Sequence, residues 1–187
     1  MRVVGISGSP RKDGNTAILV NEVLKHLRGK KKFISLADLD IHPCDMCNNC
    51  WEVDVECVID DDIFRILREL KTSDAMILGS PCYFGSVSSQ LKMLMDRSVS
   101  IREPQDQFKN KIGAAVVTQD EYGKGRGGEL TLFTIRHFYG RHIVYAGGVI
   151  GEGGIEKDNV KKDQRAMREA KDMAMRIMEL YEMIGEK

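Results

Sequence analysis

Four of the five cysteines fall in one short segment, in the arrangement Cys44-x2-Cys47-x2-Cys50-x6-Cys57. Thiolates bind iron–sulfur clusters and zinc ions alike. Zinc sites more often use two CxxC pairs separated by a longer stretch of chain, whereas three cysteines at three-residue steps surround one side of a compact inorganic core. The spacing therefore favours a [4Fe–4S] cluster, with a zinc ion as the alternative.

A run of small and hydroxyl-bearing residues, 7–16, lies between a short apolar segment and a helical pattern. The backbone of such a turn can curl around an anion at the positive end of the helix dipole. Candidate donors are the hydroxyl groups of Ser7, Ser9 and Thr16 and the amide of Asn15. Neither a Walker ending nor the GxGxxG pattern occurs in this run. We predict a phosphate-binding loop, and the alternative is a plain β–α turn with Asn15 or Thr16 as the helix cap.

Two further loops suit a flat ligand. The loop at residues 80–92 is apolar and aromatic, and a proline stiffens it. The loop at residues 118–129 has four glycines within six residues, which allow a ligand to approach the backbone closely. The alternatives are aromatic side chains that pack on the next helix and a flexible loop without a ligand.

Short apolar runs alternate with helical patterns along the whole chain, without repeats or linkers. The predicted strands lie at residues 3–6, 33–36, 75–78, 112–117 and 143–146. The predicted helices lie at residues 15–27, 61–71, 88–97, 128–139 and 161–184. Continuous apolar strands that alternate with helices are typical of a parallel sheet buried on both faces. We predict one α/β domain, residues 1–187, with a doubly wound five-stranded parallel sheet in the flavodoxin-like order 2-1-3-4-5 and a cysteine insert at about residues 42–58.

In such sheets ligands bind at the carboxyl ends of the strands, where the strand order reverses. Here these ends are the loops after Ile6, Leu78 and Val117. The strand order therefore predicts that the three candidate ligand loops meet at one edge of the sheet.

Composition and charge exclude several classes of partner. The 28 basic and 28 acidic residues cancel, which gives no reason to expect nucleic acid or an acidic membrane surface as a partner. No apolar run approaches the ~20 residues of a membrane helix, and the first residues do not match a signal peptide. We therefore expect a cytoplasmic protein, and in that reducing compartment the five cysteines are not expected to form a disulfide framework. The lysine run at residues 30–32 is expected to be a solvated helix end.

The string GISGSPRKDGNT, residues 5–16, resembles the phosphate loop of the NADPH-dependent FMN reductase-like branch of the flavodoxin superfamily. The string SPCYFGS, residues 80–86, is similar to the loop over the isoalloxazine ring in that branch, and it departs from the pattern only at Cys82. Residues 118–129 resemble the third flavin loop loosely. The resemblance implies that the FMN phosphate lies at Ser7, Ser9, Pro10, Arg11, Gly14, Asn15 and Thr16, and that other parts of FMN contact Pro81, Cys82, Tyr83, Phe84, Gly85 and Thr118.

Together with the cysteine insert, these loops make nearly the whole chain resemble the archaeal-type iron–sulfur flavoproteins. The resemblance implies FMN, a [4Fe–4S] cluster, a homodimer or homotetramer, a ferredoxin-like electron donor and a small-molecule oxidant. Because the cofactors carry the chemistry, we expect no catalytic side chain. One alternative is an NAD(P)H-dependent FMN or quinone reductase with a structural zinc ion. Another is a non-enzymatic redox sensor or zinc-binding interaction module.

The predicted strand order separates the cysteine insert from the flavin ring. The insert follows the edge strand, whereas the ring is expected over the loops after the third and fourth strands. Adjacent strands are ~4.8 Å apart, so three or four steps amount to roughly 15–20 Å. We predict that the working unit is at least a dimer, in which electrons cross between subunits. The alternative is an insert that folds over its own flavin.

Overall fold

The computed structural model describes residues 1–51, 57–102, 108–120, 125–140 and 143–185. Its five strands form one parallel sheet in the order β2-β1-β3-β4-β5, which confirms the predicted fold class and strand order. The strands are β1 (Arg2–Ser7), β2 (Lys30–Ser35), β3 (Ala75–Pro81), β4 (Ile112–Gln119) and β5 (Val144–Glu152). The α-helices are α1 (Asn15–His26), α2 (Asp62–Lys71), α3 (Ser89–Arg97), α4 (Val99–Arg102), α5 (Gly127–Tyr139) and α6 (Gln164–Gly185).

Helices cover both faces of the sheet because side chains alternate between the faces along each strand. Ile77 and Val116 belong to the core that the sheet shares with α1 and α6. Leu78 and Val117 belong to the opposite core, which includes side chains of α2, α3 and α5. Within the described ranges, no helix combines the length and the apolar character needed to span a membrane. The two cores hold the carboxyl ends of the central strands at one edge of the molecule.

The lysine run at residues 30–32 lies in strand β2, so the expectation of a helix end was wrong. This strand pairs with β1 and forms an edge of the sheet, and all three lysines are exposed. Charged side chains on an edge strand oppose its pairing with another chain. The local sequence lacks the apolar run of a buried strand because an edge strand is only partly covered.

Strand β5 is longer than predicted and ends at Glu152 rather than near residue 146. Two glycines, Gly147 and Gly148, interrupt its apolar pattern, and Gly147 has a φ of 128° beside the irregularity between Gly113 and Ala114 of β4. Such glycines mark a β-bulge, which sequence periodicity does not reveal. The extra length brings the segment after β5 to the edge of the sheet where the phosphate loop lies.

Candidate cofactor sites

The loop between β1 and α1 leaves the amino end of α1 open to an anion. Gly14 is the N-cap residue, and the described part of the chain supplies no side-chain hydrogen bond to this cap. The first turn of α1 also has no acidic residue. Asn15 and Thr16 are the first helical residues, so the alternative in which one of them caps α1 was wrong. Free N–H groups at a helix amino end favour a phosphate.

The predicted phosphate loop (residues 7–16) and the predicted loop over the flavin ring (residues 80–86, the ring loop) line the same cavity of 180 Å³. The predicted residues around it are Ser9, Arg11, Gly14, Asn15, Thr16, Pro81, Cys82, Tyr83 and Thr118. Of the other predicted residues, Ser7 is buried, Pro10 and Phe84 are exposed, and Gly85 is half-buried. The Oγ1 atoms of Thr16 and Thr118 are 2.6 Å apart and join the two sides of the cavity. The fold thus brings together three loops that are far apart in the sequence.

The side chain of Asn15 binds the segment that follows β5. Its Nδ2 atom donates hydrogen bonds to the carbonyl groups of Gly153 and Glu156, at 2.9 and 2.8 Å. Its Oδ1 atom accepts a hydrogen bond from the backbone N–H of Val160 at 3.2 Å. Asn15 therefore holds this segment against the phosphate loop. The predicted hydrogen bond from its side chain to a phosphate stays a prediction.

Sequence analysis missed the segment at residues 153–163. Gly154 and Ile155 line the cavity, and the guanidinium of Arg11 donates a hydrogen bond to the Ile155 carbonyl. A Cβ atom at Gly153 would lie 2.7 Å from side-chain atoms of Asn15, so the close approach requires glycine. The adjacent pair Gly153 and Gly154 was the available signal, but its meaning depends on a side chain that is distant in the sequence.

The ring loop is a tight hairpin. The backbone N–H groups of Tyr83 and Ser86 donate to each other's carbonyl groups, both at 3.0 Å. The two central residues, Phe84 and Gly85, have φ values of 51° and 74°, the pattern of a type I′ turn. Positive φ is costly for a bulky residue, and such strain concentrates at ligand sites. The turn leaves the Phe84 ring fully exposed beside the cavity.

Ser88, which was not among the predicted site residues, joins the ring loop to the phosphate loop. Its hydroxyl donates a hydrogen bond to the Gly8 carbonyl at 2.6 Å and accepts one from the backbone N–H of Leu91 at 3.2 Å. It therefore caps α3 and fixes the phosphate loop at the same time. Serine is a common cap, so the sequence indicated only the cap.

The four cysteines of the insert line a second cavity of 380 Å³. Cys44 and Cys47 are exposed, and Cys50 and Cys57 are half-buried. The cavity volume is many times the ~30 Å³ that one water molecule occupies, so it has room for a polynuclear cluster. Among the described residues, no three cysteine, histidine, aspartate or glutamate side chains already converge on a single metal ion.

The backbone curls tightly between the first three cysteines. Met46 lies between Cys44 and Cys47, and Asn48 lies between Cys47 and Cys50. Their φ values are 58° and 63°. The Oδ1 atom of Asp45 accepts a hydrogen bond from the backbone N–H of Cys47 at 3.1 Å. Left-handed residues within turns form the backbone nests that surround phosphates and iron–sulfur clusters. Both the local backbone and the cysteine thiols are thus suited to bind an anionic cluster.

A buried ion pair closes the base of the insert. The side chains of Arg97 and Asp61 are both fully buried and in contact. Arg97 also donates to the carbonyl groups of His42 and Ile59, at 3.2 and 3.0 Å. Asp61 accepts a hydrogen bond from the backbone N–H of His42 at 2.9 Å. Burial acts to raise the pKa of Asp61, but hydrogen bonds from Arg97 and from the His42 backbone outweigh it, so the pKa is below its ordinary value.

Comparison with known proteins decides the family. Residues 1–153 match the family of NADPH-dependent FMN reductases. An iron–sulfur flavoprotein of Methanocaldococcus jannaschii is 40% identical over 98% of this chain and 99% of its own length. Another, from Methanosarcina thermophila, is 32% identical over 98% of this chain and 97% of its own. The chain belongs to the iron–sulfur flavoprotein family.

The fold of this chain also occurs in a protein with another activity. An FMN-dependent NADH-azoreductase from Bacillus anthracis, solved in complex with FMN, aligns with a TM-score of 0.67 at 14% identity, over 94% of this chain and 98% of that one. That likeness concerns the fold alone. Family membership makes the present chain a flavin-dependent oxidoreductase or electron-transfer protein that uses FMN.

The cysteine cavity of this flavoprotein fits a cationic core. Burial raises the pKa of the Cys50 thiol, and the neighbouring Cys57, Cys44 and Cys47 raise it further. Four thiolates in one cavity repel one another, and this repulsion is relieved when positive iron ions lie between them. The donor set therefore fits an iron–sulfur cluster.

Helix α3 connects the two sites. It starts directly after the ring loop and ends at Arg97, over nine residues, a length of ~13 Å. No residue in the described ranges lines both cavities. The flavin cavity and the cysteine cavity of one chain thus lie at opposite ends of a single helix.

Proposed function

We propose that this chain passes electrons from a one-electron donor such as a ferredoxin, through a [4Fe–4S] cluster, to FMN and then to a small-molecule oxidant. The observation that carries the proposal is the pair of cavities, one lined by the flavin loops and one lined by the cysteines of the insert. The proposed cluster ligands are Cys44, Cys47, Cys50 and Cys57. We place the reaction in the cytoplasm, where reducing conditions keep cysteines available for iron.

When bound, the cluster exchanges single electrons and the flavin one or two, so the pair connects one-electron and two-electron partners. The chain itself supplies binding and position. The open amino end of α1, with the hydroxyl groups of Ser9 and Thr16, is suited to hold the FMN phosphate, and Pro81 and Tyr83 are suited to hold the ring. This role requires no acidic, basic or nucleophilic side chain. A structure with FMN would overturn the assignment if the phosphate lay away from residues 7–16.

Metal analysis tests the cluster directly. Protein purified without oxygen should contain one FMN and about four iron and four sulfide per chain, and reduced ferredoxin should bleach both sets of visible bands. Zinc in place of iron, with flavin bands alone and turnover with NAD(P)H, would instead identify an FMN or quinone reductase with a structural zinc ion. Zinc without bound flavin would identify a redox sensor or an interaction module.

We also propose that the chain works as a homodimer or homotetramer. Exposed apolar side chains lie on the ring loop and on α5: Phe84 is fully exposed, and Tyr83, Leu130 and Phe133 are 48%, 52% and 63% exposed. A Cβ atom at Gly85 would lie 3.3 Å from the Leu130 side chain, so this part of α5 is next to the turn. Apolar patches of this kind mark interaction surfaces. A two-fold contact that joins this face to the cysteine insert of a second copy would place each insert near the flavin of the other chain, since such a contact is reciprocal.

A further inference from the structure

One buried donor of Arg97 lacks a partner. The two terminal nitrogens of the guanidinium bind Asp61 and the carbonyl groups of His42 and Ile59. The Nε atom makes no hydrogen bond within the part of the chain that the structure describes, although the side chain is fully buried. An unpaired buried donor is destabilising, and native structures retain one where a ligand or a functional role accounts for it.

The position of this donor indicates which ligand would complete it. Arg97 lines the same cavity as the four cysteines, at the carboxyl end of α3. Arginine keeps its positive charge at ordinary pH. Cys57, the cysteine that follows the long gap in the motif, interacts electrostatically with this guanidinium.

We propose that the Nε–H of Arg97 donates a hydrogen bond to a sulfur atom at the Cys57 corner of the cluster and so stabilises the reduced cluster. Asp61 and the two carbonyl groups take up three of the four terminal N–H groups, and among the described residues Nε is the guanidinium nitrogen that has no partner. One-electron reduction, with the electron supplied by the ferredoxin-like donor, adds one negative charge to the cluster. A cationic donor at a sulfur atom favours that charge. The inference rests on the proposed function, since it requires the cluster.

The first experiment uses the unaltered protein. It is purified without oxygen from cells grown on 15N-arginine, assayed for iron, reduced with dithionite and studied by pulsed EPR. We expect a 15N coupling to the reduced cluster. Protein without iron would contradict the proposed function itself, whereas iron-loaded protein without an arginine coupling would overturn only the present inference.

The second experiment measures reduction potentials. Arg97→Lys keeps the charge but has a single side-chain nitrogen. This nitrogen cannot bind the His42 and Ile59 carbonyl groups and the cluster at the same time. The equilibrium constant for cluster reduction should fall at least tenfold, about 59 mV for one electron, while the FMN potential stays unchanged. The matched control Arg65→Lys alters an exposed arginine paired with Asp62 and should move neither potential. A loss of iron from Arg97→Lys without the 15N coupling in the unaltered protein would reduce Arg97 to a structural clamp.

Discussion

Cys82 and the cysteines of the insert carry the same thiol group but lie in different cavities. Cys82 follows β3 and lines the flavin cavity, and its backbone N–H donates to the Thr118 carbonyl at 2.8 Å. Cys47 lies at the centre of the CxxCxxC run and lines the other cavity. Position in the fold, rather than thiol chemistry, separates the two residues.

Single replacements should therefore have opposite effects on iron. Cys82→Ala should leave the iron and sulfide content unchanged, since this residue is not a proposed ligand. Cys47→Ala should lose most of the iron, because a three-cysteine site holds the cluster poorly. Iron and sulfide analysis of anaerobically purified variants measures both outcomes. Iron loss from Cys82→Ala, or full iron in Cys47→Ala, would contradict the ligand assignment.

Replacement of Phe84 by asparagine should stabilise the FMN-free protein and weaken FMN binding. Phe84→Asn places Asn-Gly at the centre of the hairpin, the preferred pair for a type I′ turn, and removes a left-handed bulky residue that costs roughly 1–2 kcal/mol. The free energy of unfolding of the FMN-free protein should rise by about 1 kcal/mol, while FMN affinity falls because the aromatic contact is lost. Chemical denaturation and flavin-fluorescence titration measure the two quantities.

The control for this variant is Phe133→Asn, which alters an exposed phenylalanine on α5 that is not among the predicted FMN contacts. It should leave FMN affinity unchanged. Equal or tighter FMN binding by Phe84→Asn would show that the strained turn serves something other than the flavin.

At the scale of elements, the start of α6 depends on one carboxylate. The Oδ1 atom of Asp163 accepts a hydrogen bond from the backbone N–H of Ala166, and the Oδ2 atom accepts one from the backbone N–H of Glu152, both at 3.0 Å. Asp163 thereby caps α6 and ties it to the end of β5. Burial acts to raise the pKa of Asp163, but these two backbone hydrogen bonds outweigh it and lower the pKa below its ordinary value of 3.8.

A lowered pKa in the folded state makes this contribution dependent on pH. The stabilisation is complete above the ordinary pKa of the unfolded chain and is lost as the pH falls through the lower, folded value. Because asparagine has one acceptor oxygen and no charge, Asp163→Asn should lose about 1 kcal/mol of unfolding free energy at pH 7, and the difference from the unaltered protein should shrink below about pH 4. Asp172→Asn, at an exposed position of the same helix, should show no difference at either pH. A loss that persists undiminished in acid would contradict the role of the charge.

At the scale of the whole molecule, the two cofactor sites of one chain are separated by the length of α3. The exposed apolar surface around Phe84 lies beside the flavin cavity. A second subunit that covers this surface could bring its own cysteine insert closer to the flavin than the insert of the same chain. This arrangement would shorten the electron path without any change in the fold of the subunit.

We predict that electrons cross between subunits in a species that is at least a dimer. Sedimentation should give a dimer or tetramer, and Phe84→Glu with Phe133→Glu should weaken it by placing charges in the apolar contact. Mixing subunits that lack the cluster (Cys47→Ala) with unaltered subunits from which FMN has been removed measures whether a cluster in one chain reduces FMN in the other. A monomer that takes up electrons rapidly from ferredoxin, or a structure in which each flavin lies nearest the cluster of its own chain, would overturn the prediction.

The sequence alone determined the features that depend on local pattern. The strand order followed from the alternation of apolar runs and helices, and the cysteine spacing indicated a shared site that the structure places in one cavity. The phosphate and ring loops were recognisable because turns need glycine and proline at fixed positions and anions need small residues around them. Part of the third flavin loop, residues 121–124, lies outside the described residues.

Only the tertiary structure decided which distant residues complete the sites. Arg97 and Asp61 are 36 positions apart, and the partners of Asn15 lie 138 to 145 positions away. No local periodicity encodes such pairs, because a buried arginine and an exposed one look the same in a sequence. Folding decides which polar groups pair, since a buried polar group needs a hydrogen-bond partner. The unpaired Nε of Arg97 can be identified only once the hydrogen bonds of the other buried groups in the described ranges are known.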